Sequence, residues 1–346
     1  MIGGLRGIGQ NLRDTAREQK DPEIEGQEAD EDTLAVDGPE DEDDEVEARP
    51  RGRGPRRPPA GKSMLFCVGA QKAGTTWLSA RIGQHPDCHF AHYKEMHFFD
   101  AVYGDVKPMI RWQVRILRNR VERLHTAPRP NFRRKLDAVQ AAAEMLDMYR
   151  PGPAGERAYV RLLTRGSGDA RYLCDFTPDY AYMTRDVFET MAAFGERPRF
   201  IFILRDPVSR FWSQIRMRIG RMNLEEDARA PTARRMVEEW LGDGPLSMRQ
   251  HNHYAHTLSM LETCVPEADR LEIFMEDLFT QAGLDRIAAF LGIAPFEADF
   301  APEHVGDPLD LPDDLRSRIR GSLDDTYAFC RARYGDGLPA RWATNG

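Results

Sequence analysis

Eight residues constrain this chain more than any others: Gly69-Ala-Gln-Lys-Ala-Gly-Thr-Thr76. They follow a short apolar run, Met64–Val68, and open a helical pattern over Thr75–Ile82. A run so short and so apolar suits a strand buried on both faces. Two glycines bound the turn, and the helix start beyond them offers free N–H groups and the positive end of a dipole. Strand, glycine-bounded loop and helix, in that order, make an anion cradle of the phosphate-loop kind. The spacing of Gly69 and Gly74 fits G-x-x-x-x-G-K-[ST], but Thr75 stands where a nucleotide kinase has its lysine. Thr76 keeps the final hydroxyl, and the loop's one lysine, Lys72, lies inside the turn. Lys72 would therefore meet a bound group from a different side than a lysine that reaches along the β- and γ-phosphates. The plain alternative is an ordinary strand–turn–helix with a surface lysine.

The rest of the chain predicts the surroundings of that loop. Arg199–Leu204 is the clearest further strand, with Arg171–Asp175 and Arg270–Met275 as candidates. Helical patterns cover Met109–Leu124, Lys135–Tyr149, Met248–Cys264 and Leu284–Leu291; Pro151–Pro153 breaks the second, and Pro207 suits a helix start. Strands alternating with helices predict an α/β, three-layer, P-loop-like fold: a central, mainly parallel sheet flanked by helices. A ligand then belongs at the C-terminal ends of the strands.

Charge divides the chain. Residues 1–62 hold 10 Lys and Arg against 17 Asp and Glu, a net of −7 that leaves −1 for residues 63–346. Glu28–Glu47 has twelve acids and no base, and Arg, Pro and Gly dominate thereafter. Such a stretch cannot bury enough apolar surface to offset its ordering entropy, so residues 1–62 are expected to be a disordered tail. The tail either keeps the protein in solution or docks through Arg51, Arg53, Arg56 and Arg57 on an anionic surface; the basic block is too short to argue for nucleic acid. Residues 63–346 are expected to form one domain with a helical insertion at about 106–170. The insertion's bases Arg129, Arg133, Arg134 and Lys135 would line an anionic cleft or form a solvated helix face.

No apolar run approaches the roughly 18–20 residues that span a bilayer. Met1–Gln10 is followed by polar residues, so no secretory signal is expected. Five scattered cysteines without a C-x-x-C pair argue against a disulfide framework and a structural zinc site. The expectation is a cytoplasmic protein without a transmembrane segment. His251, His253 and His256 do not share a helical face, since 251 and 253 diverge by about 200°, and no metal site is expected.

Two further segments carry chemistry. In Phe200-Ile-Phe-Ile-Leu-Arg-Asp-Pro-Val-Ser-Arg-Phe-Trp-Ser213, a strand ends at Arg205 and a helix follows. Arg205 would emerge at the ligand edge of the sheet and grip a phosphate bidentately, with Ser213 adding a hydrogen bond. The alternative is a helix-start ion pair between Arg205 and Asp206, with Ser213 incidental. In Tyr93-Lys-Glu-Met-His-Phe-Phe-Asp100, Glu95 and His97 would share one face of an extended segment. A carboxylate beside an imidazole suits a general base with an orienting partner, although lone Glu and His residues are commonly structural.

Together these segments resemble the sulfotransferases that use 3′-phosphoadenosine-5′-phosphosulfate. Val68–Trp77 is similar to the family's 5′-phosphosulfate loop, and Leu204-Arg-Asp-Pro-x-x-Arg-x-x-Ser213 to its 3′-phosphate motif. Lys94-Glu-Met-His-Phe-Phe99 is similar to the K-E-x-H-F-F segment of the heparan-type and related bacterial branch. Asp175-Phe-Thr-Pro-Asp-Tyr180 resembles that branch's E-K-T-P-x-Y, with Phe176 in place of lysine. The resemblance implies that Lys72 contacts the 5′-phosphate and the oxygen bridging to sulfur. It implies that Ala73, Gly74, Thr75, Thr76 and Trp77 hold the same phosphate, and that Arg205 and Ser213 bind the 3′-phosphate. Glu95 would take the acceptor's proton, and His97 would assist. Adenosine 3′,5′-bisphosphate would be the product, without a metal. Glu303-His-Val-Gly306 is the candidate for a loop over the 3′-phosphate. A glycan or glycolipid hydroxyl is the expected acceptor; a small alcohol, phenol or lipid is the alternative, and a P-loop kinase using ATP is the competing class.

Overall fold

The computed structural model describes residues 57–126, 128–242, 252–300 and 309–344. The tail before residue 57, His251, Glu303–Gly306 and the first residues of the expected Met248–Cys264 helix lie outside them.

Five strands form one sheet: β1 (Ser63–Cys67), β2 (Cys88–Phe90), β3 (Tyr172–Asp175), β4 (Arg199–Leu204) and β5 (Arg270–Phe274). Their order is β2-β3-β1-β4-β5, and every pairing is parallel. Helices flank the sheet, so the architecture agrees with the α/β expectation. β1, β3 and β4 are buried almost throughout, which accounts for their unbroken apolar runs. The C-terminal ends of β3, β1 and β4 therefore lie side by side, at the strand edge where such sheets bind ligands. They deliver Asp175, the Gly69 loop and Arg205 to that edge.

The helices α1 (Thr75–Ile82), α2 (Phe98–Tyr103), α3 (Val106–His125), α4 (Arg129–Met148) and α5 (Pro153–Thr164) lie between β1 and β3. α3 starts three residues before its expected position because the Asp105 side chain accepts from the Lys107 N–H and caps it. Pro153 does end the preceding pattern, yet it also opens α5, where its ring suits the first turn. After β3 come α6 (Arg185–Ala192), then β4, α7 (Pro207–Arg221) and α8 (Glu226–Leu241). No described helix is long and apolar enough to cross a membrane.

Candidate active site

The Gly69 loop is pinned to the sheet at its start. Ala70 N–H donates to the Ile203 carbonyl at 2.8 Å, and Ile203 N–H donates to Gly69 at 2.7 Å. Gly69 (φ 135) and Gly74 (φ 95) occupy backbone space that side chains rarely adopt. A Cβ on Gly69 would lie 3.2 Å from Phe202, and one on Gly74 3.2 Å from Leu278. Lys72 itself is left-handed (φ 64), a cost of about 1–3 kcal/mol that is tolerated where the surroundings impose it. Ala73 N–H is committed inside the loop, to the Ala70 carbonyl.

Gly74 caps α1 without any side-chain hydrogen bond, and the first turn contains no acid. The first N–H groups of α1 thus face outward with the helix dipole behind them. The start of α7 differs: Asp206 accepts from Ser209 N–H at 2.8 Å and from Tyr327 O–H at 2.5 Å. α7 is capped by its own carboxylate, whereas no side chain caps α1. At the same loop, the buried indole Nε1 of Trp77 has no hydrogen-bond partner among the described residues. These features fit a phosphate-bearing ligand.

Arg205 comes to this loop from the end of β4. Its Nη1 donates to the Lys72 carbonyl at 2.5 Å, and its own carbonyl accepts from Tyr254 O–H at 2.7 Å. Burial lowers the guanidinium's pKa, with nearby Arg216 acting in the same direction. Lys72 Nζ reaches Met217 Sδ on α7 at 3.4 Å. Ser213 lies one turn before Met217, on the same helix face, and is half-buried. Arg205 and the α7 residue Met217 thus both meet the Lys72 turn. Asp206 also acts on the Arg205 guanidinium, its charge opposing the fall caused by burial.

Glu95 and His97 also meet, though not by strand alternation. The segment before α2 is irregular, and His97 is left-handed (φ 49). This brings His97 Nε2 to 3.5 Å from Glu95 Oε2. Both side chains are buried. His97 Nδ1 lies 2.6 Å from Asp100 Oδ2, with Asp179 at 3.6 Å. Burial alone would lower the imidazole's pKa, but Asp100, Glu95 and Asp179 together raise it well above the usual value. Burial would raise the Glu95 pKa, but Lys94 and His97 hold it below the ordinary carboxylate range. His97, Asp100 and Asp179 have ligand-type atoms within 4.8 Å of one another.

Lys94, to which the sequence pattern assigns no role, joins the two halves of the site. Its Nζ donates to Thr76 Oγ1 at 2.9 Å and Thr75 Oγ1 at 3.4 Å, and lies 2.6 Å from Glu95 Oε1. Asp175 was likewise missed as a support. Its carboxylate accepts from Tyr159 O–H at 2.7 Å, Tyr180 O–H at 2.8 Å, Thr177 O–H at 2.7 Å and Met96 N–H at 3.3 Å. Met96 and His97 N–H also donate to Thr177 Oγ1. The Asp175–Tyr180 segment is thus the clamp that shapes the Glu95–His97 loop. Phe176 is fully buried, edge-on to Phe90 at 4.9 Å, and works in the core.

α3 and α4 cover the base from outside. Trp112 lies 6.2 Å from His97 ring to ring, and Tyr149 O–H donates to the Met96 carbonyl at 3.2 Å. Arg133 points away, its side chain 87% exposed beside Asp137, and Arg129 and Arg134 are also exposed. Lys135 donates to the Arg123 carbonyl. For these bases the solvated face describes the arrangement. His256 holds the Met183 carbonyl at 2.9 Å, a structural contact.

No curated protein matches the chain. A crystal structure of a sulfotransferase from Alicyclobacillus acidocaldarius shares the fold, with a TM-score of 0.52 at 20% identity over 82% of this chain and 99% of that one. The sulfotransferase domain from the curacin biosynthetic pathway aligns over 82% of this chain and 96% of its own, at 17% identity and a TM-score of 0.43. The model of the sulfotransferase family matches residues 65–298, which is more than half of the sequence. The chain belongs to the sulfotransferase family and is a transferase of sulfuryl groups.

Proposed function

We propose that this protein moves a sulfuryl group from 3′-phosphoadenosine-5′-phosphosulfate to a hydroxyl, with Glu95 as the base. A carbohydrate or glycolipid is the acceptor we favour, because K-E-M-H-F-F aligns the base with the heparan-type and bacterial branch. The observation that carries the reading is the continuity of the site: Arg205 bonds the Lys72 carbonyl, and Lys94 links Thr76 to Glu95. A P-loop kinase would need a lysine at Thr75, and family membership argues against it. The five free cysteines suit a reducing compartment such as the cytoplasm. Residues 63–346 would be the transferase domain and residues 106–170 its acceptor-side insertion.

The donor supplies an activated sulfate: the acceptor oxygen bonds to sulfur as the sulfur–oxygen bond to phosphate breaks, and that electron pair stays on the phosphate. The uncapped start of α1, with Gly74, Thr75, Thr76 and Trp77, holds the 5′-phosphate; Ala73 contributes the turn rather than a free N–H. Lys72 would meet the bridging oxygen, where negative charge grows, and so would stabilise the transition state more than the ground state. Arg205 and Ser213 hold the 3′-phosphate. Glu95, ionised at neutral pH, takes the acceptor's proton. His97 steadies Glu95 and would assist at the sulfuryl group or the acceptor hydroxyl. No step assigns work to a metal, because one ammonium and a helix start meet the charge.

The test is transfer of labelled sulfate from the donor to a panel of glycans, glycolipids, phenols and small alcohols. Glycan labelling by the wild type and its loss in Glu95→Gln is the expected result. Labelling confined to phenols or small alcohols favours the alternative acceptor, and labelling that Glu95→Gln leaves at the wild-type rate refutes the base.

A further inference from the structure

We propose that Lys94 is a second cation for the donor's 5′-phosphate, and that it leaves Glu95 when that phosphate binds, so that the base is set free only with donor in place. The inference rests on the donor assignment made above. Lys94 is anchored by its main chain, whose carbonyl accepts from Phe176 N–H at 3.0 Å. Its side chain is 13% exposed and ends among three acceptors, the hydroxyls of Thr75 and Thr76 and the Glu95 carboxylate. An ammonium has three donors and no acceptor, so these contacts use its full capacity. Two of the three partners are neutral hydroxyls on the first turn of α1, the turn that no side chain caps.

An anion seated on that turn lies beside Nζ. Phosphate oxygens replace the two hydroxyls with charged partners, each bonding an ammonium roughly twice as strongly as a hydroxyl does, and their combined pull opposes that of the single Glu95 carboxylate. The ammonium therefore turns toward the phosphate, and Glu95 loses its nearest positive neighbour. The charged groups facing Glu95 are Lys94 and His97, with Asp100 and Asp179 behind the imidazole. Cys67, from β1, is also near, and its thiol is kept neutral because burial pushes its pKa up to about 12. Once Lys94 has moved, His97 alone balances the carboxylate, and Glu95 binds a proton more readily. Donor arrival thus precedes acceptor activation, which disfavours deprotonating a hydroxyl with no sulfuryl group to receive it.

The experiment is a calorimetric double-mutant cycle with adenosine 3′,5′-bisphosphate, which carries the 5′-phosphate without the sulfate. Lys94→Met should weaken binding about 10–100-fold, the range for a hydrogen bond to a charged group. Lys94→Arg should recover part of it. Glu95→Gln should tighten binding by roughly threefold or more, because no ion pair has to be broken, and this gain should vanish in the Lys94→Met background. Lys94→Met binding within about twofold of wild type, or a Glu95→Gln effect equal in both backgrounds, overturns the switch. If Lys94→Met does not fold, Glu95→Gln alone decides: unchanged or weaker binding overturns it. Wild-type protein that gives no heat overturns the donor assignment instead, so the two failures are distinguishable.

Discussion

The loop after β1 and the loop before α2 each turn through a left-handed residue, Lys72 in one and His97 in the other, but different forces hold them. The first is tied by main-chain bonds to β4 and by glycines that let it run close to Phe202 and Leu278. The second hangs on side chains from far along the chain, Asp175, Thr177 and Tyr180, all buried. The anion cradle is thus held by main-chain bonds and glycines, and the base by remote side chains. Mutations near the first should alter donor binding, and mutations near the second should alter chemistry and the pH response.

The sharpest break of that contrast is Glu95→Gln. Transfer should fall roughly 10²–10⁴-fold although adenosine 3′,5′-bisphosphate binds at least threefold more tightly, as read from turnover and calorimetry. Next is Lys72→Ala, expected to lower transfer about 10²–10³-fold, the range for losing one fixed donor at a developing charge. Steady-state rates at saturating donor check it.

Asp175→Asn probes the clamp. Burial raises the Asp175 pKa from 3.8 to about 6, against the hydrogen bonds from Tyr159, Thr177 and Tyr180. The folded protein therefore binds this proton more tightly than the unfolded chain does, and the side chain's contribution to stability is least favourable above pH 6 and improves as pH falls toward 4. Asn removes the titration. Between pH 7 and pH 4 the wild type should gain up to about 3 kcal/mol relative to the variant, by denaturant unfolding at each pH. A pH-independent difference would count against a titrating clamp.

Arg205→Ala should weaken adenosine 3′,5′-bisphosphate by about tenfold or more while changing adenosine 5′-monophosphate less, since only the former carries the 3′-phosphate. The smallest effect belongs to Arg133→Ala, whose side chain is 87% exposed. Stability should stay within about 0.5 kcal/mol, because an exposed i,i+4 pair contributes little.

The same contrast explains what could be read from the residues alone. β4 runs over Arg199–Leu204 and α1 over Thr75–Ile82, as their patterns indicate, because a doubly buried strand and a glycine-led helix both leave local signals. β2 has three residues, too few for a period to emerge, and α5 hides behind a proline that looks like a stop. In the site, Lys72 shows in the spacing of its glycine-bounded loop, and Arg205 at the end of an apolar run. Lys94 does not, because its meaning lies in contacts with Thr75 and Thr76 across a fold of the chain. Asp175 was hidden for the same reason: nothing local announces a carboxylate that collects three hydroxyls and an amide.

The central claim is that one crevice recognises both phosphates of the donor's nucleotide. Titrating wild-type protein with adenosine 3′,5′-bisphosphate and with adenosine 5′-monophosphate tests it most directly. Saturable heat with the first, and affinity for the second lower by about tenfold or more, is the predicted outcome. Equal affinity for the two, or no heat from either, would contradict it.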